Sequence, residues 1–64
     1  MQKYVERMIV EKKELDGRIS KAKKAVENPP YGADSESINL LKEQIVFMES
    51  YSAVLEKRIA RARR

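Results

Sequence analysis

The chain has 64 residues and a formal net charge of +4, and it contains no cysteine and no histidine. This length allows one small domain at most, and the missing side chains exclude disulfides and zinc sites built from thiolate and imidazole. We find no glycine-rich phosphate loop, and the carboxylates alternate with lysines, so we expect no enzymatic activity and no cofactor or metal. No apolar stretch is long enough for a signal peptide or a membrane span, so we expect a cytoplasmic protein with no membrane partner.

The first half of the chain carries apolar residues at alternating steps of three and four, which predicts a helix over about residues 2–27. The seam consists of Val5, Met8, Leu15, Ile19, Ala22 and Val26, with Lys12 in one slot. Gly17 lies off this seam. It is either a tolerated surface glycine or a point of close approach between helices.

A turn over residues 28–34 separates the two halves. Asn28 precedes Pro29, and a residue before proline is disfavoured in the α region, so the first helix should end there. Gly32 can adopt a positive φ and close the turn. Asp34 or Ser35 then suits the N-cap of a second helix over about residues 35–62.

The second half repeats the seam of the first. It consists of Ile38, Leu41, Ile45, Met48, Leu55, Ile59 and Ala62, with Ser52 in one slot. Folding the chain at the turn brings the seams together and places Lys12 and Ser52 at the same height, as a polar layer that fixes alignment. Residues 1–64 are therefore predicted to form a single all-α domain, an antiparallel two-helix hairpin of coiled-coil type.

The second helix has more apolar surface than one seam needs. Leu40, Phe47 and Val54 recur every seven residues, and Tyr51 follows Phe47 by four. We call these four residues the apolar stripe. Because so short a chain buries little surface, we expect a homodimer that forms a four-helix bundle, or a higher oligomer. The stripe is then a self-interface, or alternatively a docking surface for another protein.

The end of the second helix is strongly basic. Its cations are Lys57, Arg58, Arg61, Arg63 and Arg64. They complement the negative end of the helix dipole, which requires no ligand. In a hairpin they also lie beside Lys3 and Arg7, and the combined basic end offers candidate contacts to phosphates.

Two segments carry a resemblance to a known group. They are EKKELD at residues 11–16 and MESYSAVLEKRI at residues 48–59. This pattern resembles small, uncharacterised phage and prophage helical-hairpin proteins. The resemblance implies a phage-type accessory protein, a class that often binds and disables a host or defence component, in the cytoplasm of the host cell.

Two functions remain open at this stage. The first is a non-enzymatic accessory protein that binds and inhibits or modulates a host or defence protein. The alternative is a module that binds and sequesters nucleic acid or a nucleotide through its basic ends.

Overall fold

The computed structural model describes residues 2–63, which form two helices joined by a short turn. Helix α1 spans Lys3–Glu27 and helix α2 spans Ser35–Ala62. The helices pack along their whole length into a rod of 47 × 15 × 13 Å. The predicted all-α fold with two hairpin helices is confirmed.

The turn is closed by backbone and side-chain hydrogen bonds. Helix α1 ends where Asn28 donates its N–H to the carbonyl of Lys24, at 2.8 Å. Gly32 has a φ of +87°, a conformation that glycine adopts without the steric cost of a Cβ. Of the two predicted N-caps, Asp34 is the one used, because its Oδ1 accepts the N–H of Ser37 at 2.8 Å.

The core is the seam between the two helices. Every fully buried apolar residue among residues 2–63 belongs to one of the two predicted seams, and Leu55 is completely buried. The buried set is Val5, Met8, Leu15, Ile19, Ile45, Leu55 and Ile59. The seam residues nearest the turn are only partly buried, as are Met48 and Ala62, so the core is thinnest towards the turn; the residues near the turn are Ala22, Val26, Ile38 and Leu41.

Neither α1 nor α2 has a run of residues both long enough and apolar enough to cross a membrane.

Gly17 faces open space. A Cβ built at this position meets no atom within 4 Å, which favours the surface glycine over the close helix approach. The two glycines therefore have different roles, since only Gly32 has a positive φ.

We predict that Gly17→Ala stabilises the fold by about 1 kcal/mol, because alanine restricts the unfolded chain and favours the helix. Gly32→Ala is the matched control and should destabilise, since its Cβ is strained at positive φ. Urea unfolding followed by circular dichroism measures both. A destabilised Gly17→Ala variant would contradict the assignment of Gly17 to the surface.

Candidate functional site

A polar cluster lies beside the seam near the middle of the hairpin. The Ser52 hydroxyl donates to Oδ1 of Asp16 at 2.6 Å, and Lys12 Nζ contacts Oδ2 of the same carboxylate at 2.7 Å. Lys12 Nζ is also 3.6 Å from Oε2 of Glu56. The polar layer predicted from Lys12 and Ser52 is thus joined through Asp16, which links α1 to α2.

The cluster shifts the ionisation of its members. The hydrogen bond from Lys12, supported by the one from Ser52, holds the pKa of the Asp16 carboxyl below its usual value of 3.8. The same contact with Asp16 raises the pKa of Lys12 above 10.5. Each shift favours the charged form of its group, as expected for two opposite charges in contact.

The groove beside this cluster is already charge-neutralised. Besides Lys12, its lining includes Lys23, whose Nζ lies 2.8 Å from Oε2 of Glu49. Each lysine of the groove therefore has a carboxylate partner, and an incoming anion would have to compete with it. The groove is a poor candidate for binding a negatively charged ligand.

A second depression lies at the open end of the hairpin, and its positive charges are not neutralised by neighbouring carboxylates among residues 2–63. It is lined by Tyr4, Met8, Arg58, Arg61 and Ala62 and has a volume of about 360 Å³. No carboxylate lines it, and neither arginine forms an ion pair with another residue among 2–63. We call it the open-end depression.

The open-end depression combines two chemistries. Guanidinium groups bind phosphate and carboxylate oxygens through pairs of hydrogen bonds. The Tyr4 ring, about half exposed, offers a face on which a planar ring can stack. The arrangement therefore suits a ligand that has both a negative charge and an aromatic part.

The five residues predicted to contact phosphates do not lie together in the structure. Arg58 and Arg61 share the open-end depression, whereas Arg63 lines another depression with Lys13 and Glu56. Lys57 is exposed and lines none of the depressions described above. Arg64 lies outside the described residues.

The apolar stripe is exposed and lies apart from the core. The exposed fractions are 60% for Leu40, 66% for Phe47, 45% for Tyr51 and 51% for Val54. Arg58 follows Tyr51 by seven residues and Arg61 follows Val54 by seven, so the stripe and the open-end depression share one face of α2. The stripe is available for contact, as either of its two interpretations requires.

Sequence reasoning missed Asp16 and Tyr4. Asp16 lies four residues after Lys12, next to the seam, and this spacing was the available signal for a bridging carboxylate. Tyr4 lies one residue before the seam residue Val5, on the side that faces the end of α2. Among residues 2–63, no three acidic side chains gather closely enough to hold a metal ion.

A family model described as Sequestin matches residues 2–61 of the chain. The protein belongs to the Sequestin family. The match includes α1, the turn and all of α2 except Ala62, and therefore the apolar stripe, Tyr4, Arg58 and Asp16. No match to the chain was found among curated proteins or among solved structures.

The lowered pKa of Asp16 predicts an acid-sensitive hairpin. The unfolded chain binds a proton on this carboxyl more readily than the folded chain, so Asp16 adds stability above pH 4 that is lost as pH falls below about 4. Asp16→Asn should therefore lower the melting temperature at pH 7 and make its decline below about pH 4 less steep, with Asp34 accounting for part of the decline that is left. Thermal melts by circular dichroism across this range provide the measurement.

Glu14→Gln is the control, because Glu14 is an exposed acid of α1 with no ion pair among residues 2–63. It should leave the acid decline as steep as in the parent. The same steepness in Asp16→Asn would show that the cluster adds nothing to stability.

Proposed function

We propose that the protein sequesters a ligand: it binds the ligand in proportion to its own amount and releases it chemically unchanged. The name of the Sequestin family supports holding a partner as the activity. The composition supports binding without catalysis, because the chain contains neither histidine nor cysteine. Sequestration inhibits a host or defence process by lowering the free concentration of a component that the process needs.

The favoured ligand is an anionic, nucleotide-type molecule held in the open-end depression. The observation that carries this choice is the pairing of Arg58 and Arg61 beside Tyr4, with no carboxylate in the lining. The lysines of the groove beside the polar cluster form ion pairs with Asp16, Glu56 and Glu49. The open-end depression is therefore the better site for an anion. Phosphates would contact the guanidinium groups, and a base would stack on the tyrosine ring.

Self-association is the second part of the proposal. The four residues of the stripe are large, exposed apolar side chains on one face of α2, and a second copy would remove them from water. A hairpin of this size also gains stability from assembly, because its own seam is a small core. Copies joined through the stripe provide several open-end depressions in one particle.

A second candidate ligand is a host or defence protein that docks on the stripe. The observation in its favour is the exposure of Phe47, which at 66% is high for a large aromatic residue. Aromatic side chains of this kind often carry much of the binding energy of protein interfaces. In this case the protein would be inhibited by a helix that packs against α2.

The discriminating experiment is titration calorimetry with a panel of purine mononucleotides and dinucleotides at increasing salt. We predict binding that weakens as salt rises, because the contacts to phosphate are electrostatic. Replacing Arg58 and Arg61 together by Gln should reduce affinity at least about tenfold, since each hydrogen bond to a charged group contributes about 1.5–3 kcal/mol. Tyr4→Ala should reduce it further, because stacking contributes about 1–3 kcal/mol.

The matched control replaces Lys13 and Lys42 by Gln. This variant loses the same net charge, but neither lysine lines the open-end depression. It should keep most of the affinity. Equal losses in the two variants, or no binding by any member of the panel, would contradict the open-end site and favour the protein ligand.

A further inference from the structure

We propose that a second copy of the chain docks on the apolar stripe in antiparallel orientation, with a twofold axis between Phe47 and Tyr51. The inference rests on the self-association in the proposed function and adds its geometry. It follows from the spacing of exposed residues on α2 and from the distribution of charge along that helix.

The exposed face of α2 repeats the spacing of a helix–helix seam. Gln44 falls between Leu40 and Phe47, and Arg58 follows Val54, so that exposed residues recur at alternating steps of four and three from residue 40 to residue 58. This is the spacing that lets two helices pack knobs into holes. Helix α2 therefore carries two such seams, of which α1 covers one.

Antiparallel pairing of two such seams gives a self-complementary set of contacts. Phe47 of each copy packs against Tyr51 of the other. This gives two aromatic pairs, one on each side of the axis. Val54 then meets Gln44 of the other copy. Leu40 meets the aliphatic stem of Arg58, whose guanidinium group can still reach water. A twofold axis requires this reciprocity, since each contact must occur twice.

Charge along α2 selects the antiparallel orientation. The N-terminal end of the helix carries Asp34 and Glu36, whereas the C-terminal end carries Lys57, Arg58 and Arg61. Antiparallel packing about this axis places the exposed Glu43 of one copy beside Lys57 of the other, at both ends of the contact, because the two residues lie at nearly equal distances from the axis. Parallel packing would instead place the two sets of cations at the same height, where like charges repel.

The antiparallel arrangement determines where ligands bind. Each open-end depression lies beside the turn end of the other copy, and the two depressions lie at opposite ends of a bundle about as long as the 47 Å hairpin. A dimer therefore holds two ligands at separate and equivalent sites. Binding at one site should leave the affinity of the other unchanged, because screening removes charge interactions beyond about 10 Å at 0.1 M salt.

Site-directed cross-linking tests the orientation, and the absence of native cysteines simplifies it. Glu43→Cys and Lys57→Cys place single thiols at exposed positions outside the predicted core. The two variants are mixed, unfolded, refolded together and treated with a short bis-maleimide. We expect a cross-linked dimer from the mixture and none from either variant alone, because at about 1.5 Å per residue like positions lie roughly 18 Å apart for residue 43 and roughly 24 Å apart for residue 57. Light scattering of the untreated parent should report twice the chain mass of 7.4 kDa.

Three results would overturn the inference. A cross-linked dimer formed by Lys57→Cys alone would show parallel packing, and a dimer mass without any cross-link would show a different interface. A folded monomer at micromolar concentration would remove self-association itself. The nucleotide titration tests the open-end site independently of dimer formation, because the open-end depression of a monomer still contains Tyr4, Arg58 and Arg61.

Discussion

The packing of α1 against α2 is the interaction on which the rest of the molecule depends. With so few residues, nearly all apolar side chains at seam positions are needed to hold the two helices together, and Leu55 is completely enclosed. This packing fixes which faces remain outside. The apolar stripe and the open-end depression both exist because α1 covers one face of α2 and leaves the adjacent face open.

Asp16 is a polar residue of α1 that is hydrogen-bonded to α2. The hydrogen bond from Ser52 to Asp16 joins the two helices in the observed register, and the contact between Lys12 of α1 and Glu56 of α2 supports it. That register sets which residue of α1 lies beside the end of α2. In the observed register Tyr4 lines the same depression as Arg58 and Arg61, so the polar cluster and the candidate site are linked through the alignment of the helices.

Much of this fold could be predicted from the sequence, because seam spacing, Pro29 and Gly32 are local signals. The seam residues are periodic, proline stops a helix, and only glycine adopts positive φ cheaply. The site was less accessible to prediction, since Arg58 and Arg61 line one depression whereas Arg63, only two residues further on, lines another. Which of them meets Tyr4 depends on the register between helices, and that information is not local.

The protein is proposed to hold its ligand without transforming it. The most direct measurement is equilibrium dialysis with a nucleotide that binds in the titrations, followed by heat denaturation of the protein and mass spectrometry of the released ligand. We predict that free ligand falls in proportion to added protein and that the released molecule has its original mass in full yield. Continued loss of ligand beyond the amount of protein, or a released product of different mass, would show catalysis and contradict sequestration.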